Sequence, residues 1–478
     1  MVLSHRYSRR AILRFAGLAA TGAASGVILA ACSSSAPASA PTSAPTTAAS
    51  AAPTAAATSA SASASTPSAA ATSAPAASAA TQLVFLCNSG GNPQKMYSPI
   101  FDNFQKANPG LTVQPNFSGA SAAEEQTKLL LMISGGTPPD VYWIHTYTNA
   151  GVSALGIPED LNNYVKADKT FSADNFYPAS IADFAFQSKQ NALPRETTST
   201  ILIYNQDLFQ KANLSLPTAD WKWADYEQAA QKLTSGTGPN KVWGTAGWIQ
   251  PGYAYYSFIR DWQEGGDVLN ADRTQYTLDD DFGVKTYTWV NNLVKQGWHP
   301  SSAQGAANDP ATLFQSGKIG MIPTFNVYPF FANAKFSWDI QHLPHDGKQV
   351  TRTASAGHAM ASAGKSKDSA WKLLSYLEGK DSMQALFDFG LPVAFKTIAE
   401  EAVKNQSGKP PAHIQIGLDA MSYARPEPVA GDWIGVHQTI ASALESVYGP
   451  EQKAVKDALT GIASKVNSLI AAKPTAGG

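Results

Sequence analysis

Residues 33–80 contain nothing but Ala, Ser, Thr and Pro, and that tract limits what the chain can fold into more than any other feature. Forty-eight consecutive residues without a charge or an aromatic ring bury nothing that offsets the entropy of ordering them, so the tract is predicted to stay disordered. A flexible tract of this length spans about 35–42 Å root-mean-square. Its six prolines extend it somewhat further. All 11 Trp lie beyond it. Folding is therefore expected of residues 82–478, a length better suited to two lobes than to one core.

Ahead of the tract, residues 1–31 carry Arg6, Arg9, Arg10 and Arg14, no acid, and an apolar run from Phe15 to Ala31. A basic start, an apolar middle and a small-residue end predict a secretory signal rather than a spanning helix. Ser8-Arg9-Arg10-Ala11-Ile12-Leu13-Arg14 resembles a twin-arginine export motif, and Leu29-Ala30-Ala31-Cys32 resembles a lipobox. The lipobox would make Cys32 the lipidated first residue of the mature chain, and two acyl chains meet the condition for stable anchoring to a bilayer. The tract then reads as a leash on the extracytoplasmic face of the membrane. A cell-wall spacer or a glycosylated stalk would have the same composition.

Without those four arginines the chain has 31 basic and 36 acidic residues, so it offers no basic surplus for nucleic acid. Two cysteines exclude a disulfide framework. Cys32 is assigned to lipid, and Cys87, in the apolar run Leu83-Val84-Phe85-Leu86-Cys87, to packing. No G-x-S-x-G elbow, H-E-x-x-H, P-loop or dinucleotide fingerprint is present. His342-x-x-His345 straddles Pro344 without a third ligand nearby. No metal, cofactor or enzyme activity is expected. A glycosidase needs two carboxylates flanking a cleft, whereas Asp261, Glu264 and Asp267 read as a solvated loop and Asp279-Asp280-Asp281 as a helix N-terminus.

The body opens with a strand at Leu83–Cys87, then the polar turn Asn88-Ser89-Gly90-Gly91-Asn92 and a helix with Ile100 and Phe104 four apart. A strand at Leu111–Phe117, a helix at Glu125–Ser134 and a strand at Asp140–Ile144 follow. Such βαβαβ alternation predicts an open α/β sheet with mainly parallel strands, and ligands of these sheets bind at the carboxyl ends of strands. The turn 88–92 and the segment Tyr142-Trp143-Ile144-His145 become candidates on that ground. Stripes at Tyr226, Ala229, Ala230, Leu233, at Ala370, Leu373, Leu374, Leu377, and from Val455 through Leu459, Ile462, Val466, Leu469 and Ile470 are core-facing helices.

Five stretches, in order, resemble the family 1 extracellular solute-binding proteins, the carbohydrate-capturing lipoproteins of ABC importers. They are Leu83–Phe117; Lys128–Val141, which contains Ser134-Gly135-Gly136-Thr137-Pro138-Pro139-Asp140-Val141; Leu193-Pro194-Arg195-Glu196 running into Ile203–Phe209, then Trp223 heading a helix; Leu313–Met321; and Ser355-Ala356-Gly357-His358 followed by Lys365–Leu377. The resemblance covers essentially all of 82–478. It implies a two-lobed periplasmic-binding-protein fold of class α/β, each lobe a mainly parallel sheet flanked by helices, closing on a ligand by hinge motion. It places one lobe at 82–196 plus 357–409 and the other at 197–356 plus 410–478. It also implies a monomer that delivers a sugar to membrane permease subunits.

A sugar ring presents hydroxyls at its rim and a C–H face, so its site needs planar aromatics and short polar groups. The resemblance implies cleft aromatics at Trp143, Trp433, Phe325 and Tyr328, and polar contacts from Asn88, Ser89, His145, Glu196 and Asn326, with Gly357 admitting the ligand to the backbone. Weaker candidates are Trp248, Tyr255, Asp261, Arg425 and Arg195. Arg195 leaves two readings open: recognition of an anionic solute, or an ion pair between lobes. Binding proteins of this fold for glycerol phosphate, polyamine or ferric ion are the alternative, the last suggested by Tyr253, Tyr255 and Tyr256. A glycan-active enzyme is more distant.

Overall fold

The first strand, β1 (Thr81–Cys87), is buried at Leu83 and on both faces from Phe85 to Cys87, as befits an inner strand of a parallel sheet. Helix α1 (Pro93–Ala107) starts where the Asn92 side chain accepts from the Lys95 amide and proline occupies the first turn, both ordinary N-terminal devices. Its stripe Met96, Tyr97, Ile100, Phe101, Phe104 is buried. Strand β2 (Leu111–Phe117) pairs in parallel with β1 at the sheet edge, where Pro115 interrupts the ladder at least cost. Helix α2 (Ala122–Ser134), β3 (Val141–His145) and α3 (Thr146–Ala154) complete the unit. The expected βαβαβ is present, with boundaries moved by one to three residues.

The computed structural model describes residues 80–88, 92–118, 122–250, 253–301, 304, 310–325, 334–405 and 410–472. The signal segment, Cys32 and residues 33–79 of the Ala/Ser/Thr/Pro tract fall outside them, as do Ser89, Asn326 and Tyr328. No helix among the described residues is long and apolar enough to cross a membrane.

Further strands are β4 (Leu193–Asn205), β5 (Trp243–Thr245), β6 (Ile319–Phe325), β7 (Trp338–Gln341), β8 (Thr351–Met360) and β9 (Ala424–Arg425). The main sheet has nine strands and runs β2-β1-β3-β8-β4-β6-β5, with β9 beside β8 and β7 beside β4. Pairing is parallel toward both ends, β2/β1/β3 and β5/β6, and antiparallel through the middle. Two long strands cause this. β4 pairs with β8 through Leu193–Ser199 and then with β6 through Thr200–Tyr204, so a single strand belongs to both halves of the sheet.

The apolar core divides in the same way. One cluster draws on residues 83–193 and 356–398, and another on residues 202–350 and 429–470 together with Ala150 of α3. The helices α4 (Trp223–Leu233), α5 (Tyr255–Glu264), α6 (Asp281–Lys295) and α8 (Trp433–Tyr448) supply the second; α7 (Lys367–Leu377) supplies the first. The expected stripes at 226–233 and 370–377 are buried. The stripe from Val455 to Ile470 is not one helix but two, Val455–Thr460 and Ala463–Ala471. Gly461 sits at the break, where glycine's poor helix propensity lets the chain turn. Asp280 caps α6 by accepting from the Gly283 amide at 2.9 Å, as its sequence predicts. Cys87 is a free, buried thiol whose pKa burial pushes up to about 12, an inert packing residue.

Candidate functional site

Each central strand is buried almost throughout and opens at one position. β3 opens only at His145, its last residue; β4 only at Glu196; β6 only at Phe325, its last residue; β8 only at Ala354. The register aligns these openings. Ala356 of β8 stands opposite His145 on one side and Glu196 on the other, Ala354 stands opposite Thr198, and Thr200 stands opposite Phe325. Residues in register, and those two apart along a strand, share one face. His145, Glu196 and Phe325 therefore stand around a floor of Ala354, Ala356, Thr198 and Thr200, with Arg352 two residues before Ala354 on the same face. Small side chains and large polar or aromatic ones thus share one face of the sheet, at the place where β4 changes partner from β8 to β6.

The aromatic rim is continuous. His145 caps α3 by accepting from the Tyr147 amide at 3.2 Å, and its ring stacks on Tyr147 at 4.3 Å. Tyr147 lies 6.1 Å from the ring of Tyr253. Phe325 packs against Tyr256 at 5.5 Å. Arg352 links the two groups of rings, its guanidinium 5.0 Å from the Phe325 ring and 5.4 Å from the Tyr147 ring, and its Nη2 donates to the Tyr147 hydroxyl at 2.5 Å.

Beneath the rim the charges are paired. Arg352 Nε donates to Glu427, whose other oxygen accepts from the Trp433 indole at 2.6 Å and lies 2.8 Å from His437 Nε2. Burial alone would raise the Glu427 pKa, but Arg352, His437 and these hydrogen bonds outweigh it and hold the carboxylate at about 2. On the other wall Arg195 Nη2 pairs with Glu196 at 2.9 Å. The pair joins neighbours on one strand, so the ion pair between lobes considered for Arg195 is not what the structure contains.

The other candidates are placed as follows. Asn88 is buried at the carboxyl end of β1. Trp143 and Trp433 are both buried, at 0% and 1% exposure. Trp143 packs under the Arg195 guanidinium at 5.9 Å, and Trp433 orients Glu427. Gly357 is demanded by its neighbours, since a Cβ there would fall 2.1 Å from the Leu193 carbonyl oxygen. Trp248 sits in an aromatic cluster with Trp223, Tyr226 and Trp289, its indole donating to the Tyr226 hydroxyl at 2.8 Å. Asp261 and Arg425 meet around Asp267, to which Arg425 donates at 2.7 Å. Burial and the carboxylates of Asp280 and Asp267 raise the Asp261 pKa to about 8. Tyr255 lies in the first turn of α5. His145, Glu196 and Phe325 are thus brought together, whereas Trp248, Asp261 and Arg425 are placed elsewhere. Sequence reasoning passed over Tyr147, Arg352, Glu427 and His437. One available signal was an arginine near the start of a strand whose residues 351–357 are otherwise only Ala, Ser, Thr and Gly; another was a tyrosine two residues beyond a candidate histidine.

Residues 89–384 match the family model for bacterial extracellular solute-binding proteins. A protein of Brucella abortus (strain 2308), named only as a binding protein, is 26% identical over 389 residues, spanning 78% of this chain and 90% of its own. The sn-glycerol-3-phosphate-binding periplasmic protein UgpB of Escherichia coli (strain K12) is 23% identical over 301 residues, 59% of this chain and 65% of its own. Among solved structures, the ABC substrate-binding protein Lmo0181 from Listeria monocytogenes, in complex with cycloalternan, superimposes with a TM-score of 0.70 at 27% identity, covering 82% of this chain and 99% of that one.

Proposed function

The chain belongs to the bacterial extracellular solute-binding protein family, and from that premise we propose that it captures a sugar or oligosaccharide between two lobes and passes it to an ABC importer. Its role is binding, not catalysis. Strand register supports this reading, because it sets aromatic rings and a carboxylate around alanines and threonines on one face of the sheet, which is the floor of the proposed crevice. A pyranose fits such a site by resting its C–H face on Phe325 or the Tyr147 ring and its hydroxyls against Glu196 and His145. Arg195 and Arg352 each face a carboxylate already, Glu196 and Glu427. That internal neutralisation favours an uncharged solute over an anionic one such as glycerol phosphate, because an anion would have to displace a paired carboxylate.

The lobes would be 82–196 plus 357–409 and 197–356 plus 410–478, with β4 and β8 as crossing strands. Ligand stabilises the closed form because only that form contacts it from both sides. Twin-arginine export, lipidation at Cys32 and a leash through residues 33–80 would hold a monomer at the extracytoplasmic membrane face, near its permease. The test is a thermal-shift panel of maltose, maltotriose, cycloalternan, glycerol 3-phosphate and spermidine with the mature chain. A sugar that raises the Tm at micromolar concentration supports the reading; a response confined to glycerol 3-phosphate or spermidine refutes it.

A further inference from the structure

Behind Glu196 runs a line of buried polar groups that the crevice alone does not require. Arg195 Nη1 donates to the Tyr97 hydroxyl at 2.6 Å. That hydroxyl lies 2.7 Å from His358 Nε2, and His358 Nδ1 lies 2.7 Å from Glu378 Oε1. The four residues come from four separate places: β4, α1, β8 and the carboxyl end of α7. His358 and Glu378 have fully buried side chains, Tyr97 is 0% exposed and Arg195 4%. Only the last member, Glu196, reaches the crevice.

Burying polar groups in series is costly, Glu378 Oε2 and Arg195 Nε have no hydrogen-bond partner among the described residues, and apolar side chains would fill the same volume more favourably. A series that converges on one guanidinium fixes that guanidinium. Tyr97 holds Nη1 from one side, while the Trp143 and Tyr97 rings lie 5.9 and 6.0 Å from its carbon. Nη2 is left to hold Glu196 Oε1 at 2.9 Å.

We propose that Tyr97, His358 and Glu378 are positioning residues for solute binding: through Arg195 they fix the Glu196 carboxylate in the crevice, although none of them touches the solute. This rests on the sugar-binding reading above for its consequence, but its geometry stands apart from that reading. Immobilising a carboxylate in advance removes an ordering cost from binding, so loss of the relay should weaken affinity about 3- to 10-fold.

Two conservative changes separate positioning from general stability. Tyr97→Phe removes one hydroxyl and keeps the ring. Glu378→Gln keeps a group that serves the imidazole as donor or acceptor, whereas Glu378→Leu removes it. Crystal structures of the mature variants without solute give the first readout. In Tyr97→Phe and Glu378→Leu the Glu196 carboxylate should leave Arg195 Nη2, and in Glu378→Gln it should stay. A Glu196 side chain that superimposes in all of them overturns the proposal. Titration calorimetry with maltotriose and with cycloalternan gives the second. Tyr97→Phe and Glu378→Leu should bind about 3- to 10-fold more weakly, with Glu378→Gln restored to within about 2-fold of wild type. Equal affinities across the set also overturn it. If wild type binds neither sugar, the sugar-binding reading fails, and the crystallographic readout still decides the relay.

Discussion

Glu427 is the residue whose removal the structure prices most clearly. It is 5% exposed and carries Arg352, Trp433 and His437 on its two oxygens. Its pKa falls from the ordinary 4.5 to about 2. At about 1.4 kcal/mol per unit, that depression is worth roughly 3 kcal/mol of folding stability at neutral pH. Because the folded pKa lies below the unfolded one, this contribution is complete above pH ~5 and is lost as pH falls toward ~2. Glu427→Gln should therefore cost about 3–5 kcal/mol at pH 7, since it strands a buried guanidinium. Adding Arg352→Met should recover part of that loss, because an apolar pair of similar volume is often tolerated where a broken ion pair is not. Urea unfolding of wild type, both single variants and the double variant at pH 7 and pH 4 measures the coupling. Glu427→Gln should differ from wild type less at pH 4 than at pH 7. A single variant within about 1 kcal/mol of wild type, or a double variant whose loss equals the sum of the singles, would refute the reasoning.

Other expectations follow from the same geometry. Trp143→Ala and Trp433→Ala should each lower stability by about 3–5 kcal/mol, read by urea unfolding, because both rings are buried; a variant that loses sugar affinity at unchanged Tm would return that ring to the ligand surface. Phe325→Ala should weaken sugar binding by about 1–3 kcal/mol in calorimetry and leave Tm within a few degrees. Asp261 has its pKa raised to about 8 by burial and by Asp280 and Asp267, so wild type should lose stability as pH rises from ~4 to ~8, and Asp261→Asn should flatten that slope in denaturation curves taken at pH 5 and pH 8. Cys32→Ala should move the protein from the membrane fraction to the medium or periplasm in a fractionation blot; retention on the membrane would remove the lipobox from the account.

What the sequence made legible was what local pattern encodes. The opening βαβαβ follows from apolar runs and from Asn108-Pro109-Gly110 and Gly135-Gly136 stops, and strand ends pointed to His145. The buried helix stripes at 226–233 and 370–377 were readable for the same reason, as periodicity survives without tertiary context. What stayed hidden depends on contacts between distant segments. Tyr147 and Arg352 are 205 residues apart, and no spacing announces that they meet. Tryptophan serves both cores and sugar sites, so no local pattern shows that Trp143 and Trp433 are buried. Nor does any spacing announce that the Leu193 carbonyl lies where a Cβ on residue 357 would fall. At Gly461 a periodic stripe ran straight across a helix break, since hydrophobic period does not record a change of axis.

A crystal structure of the mature chain grown with the sugar giving the largest thermal shift tests the central claim most directly. A sugar ring should occupy the crevice, with hydroxyls within about 3.2 Å of the Glu196 carboxylate and a C–H face on Phe325 or Tyr147. A sugar bound away from His145, Glu196 and Phe325, or an anion seated between Arg195 and Arg352 in its place, would contradict it.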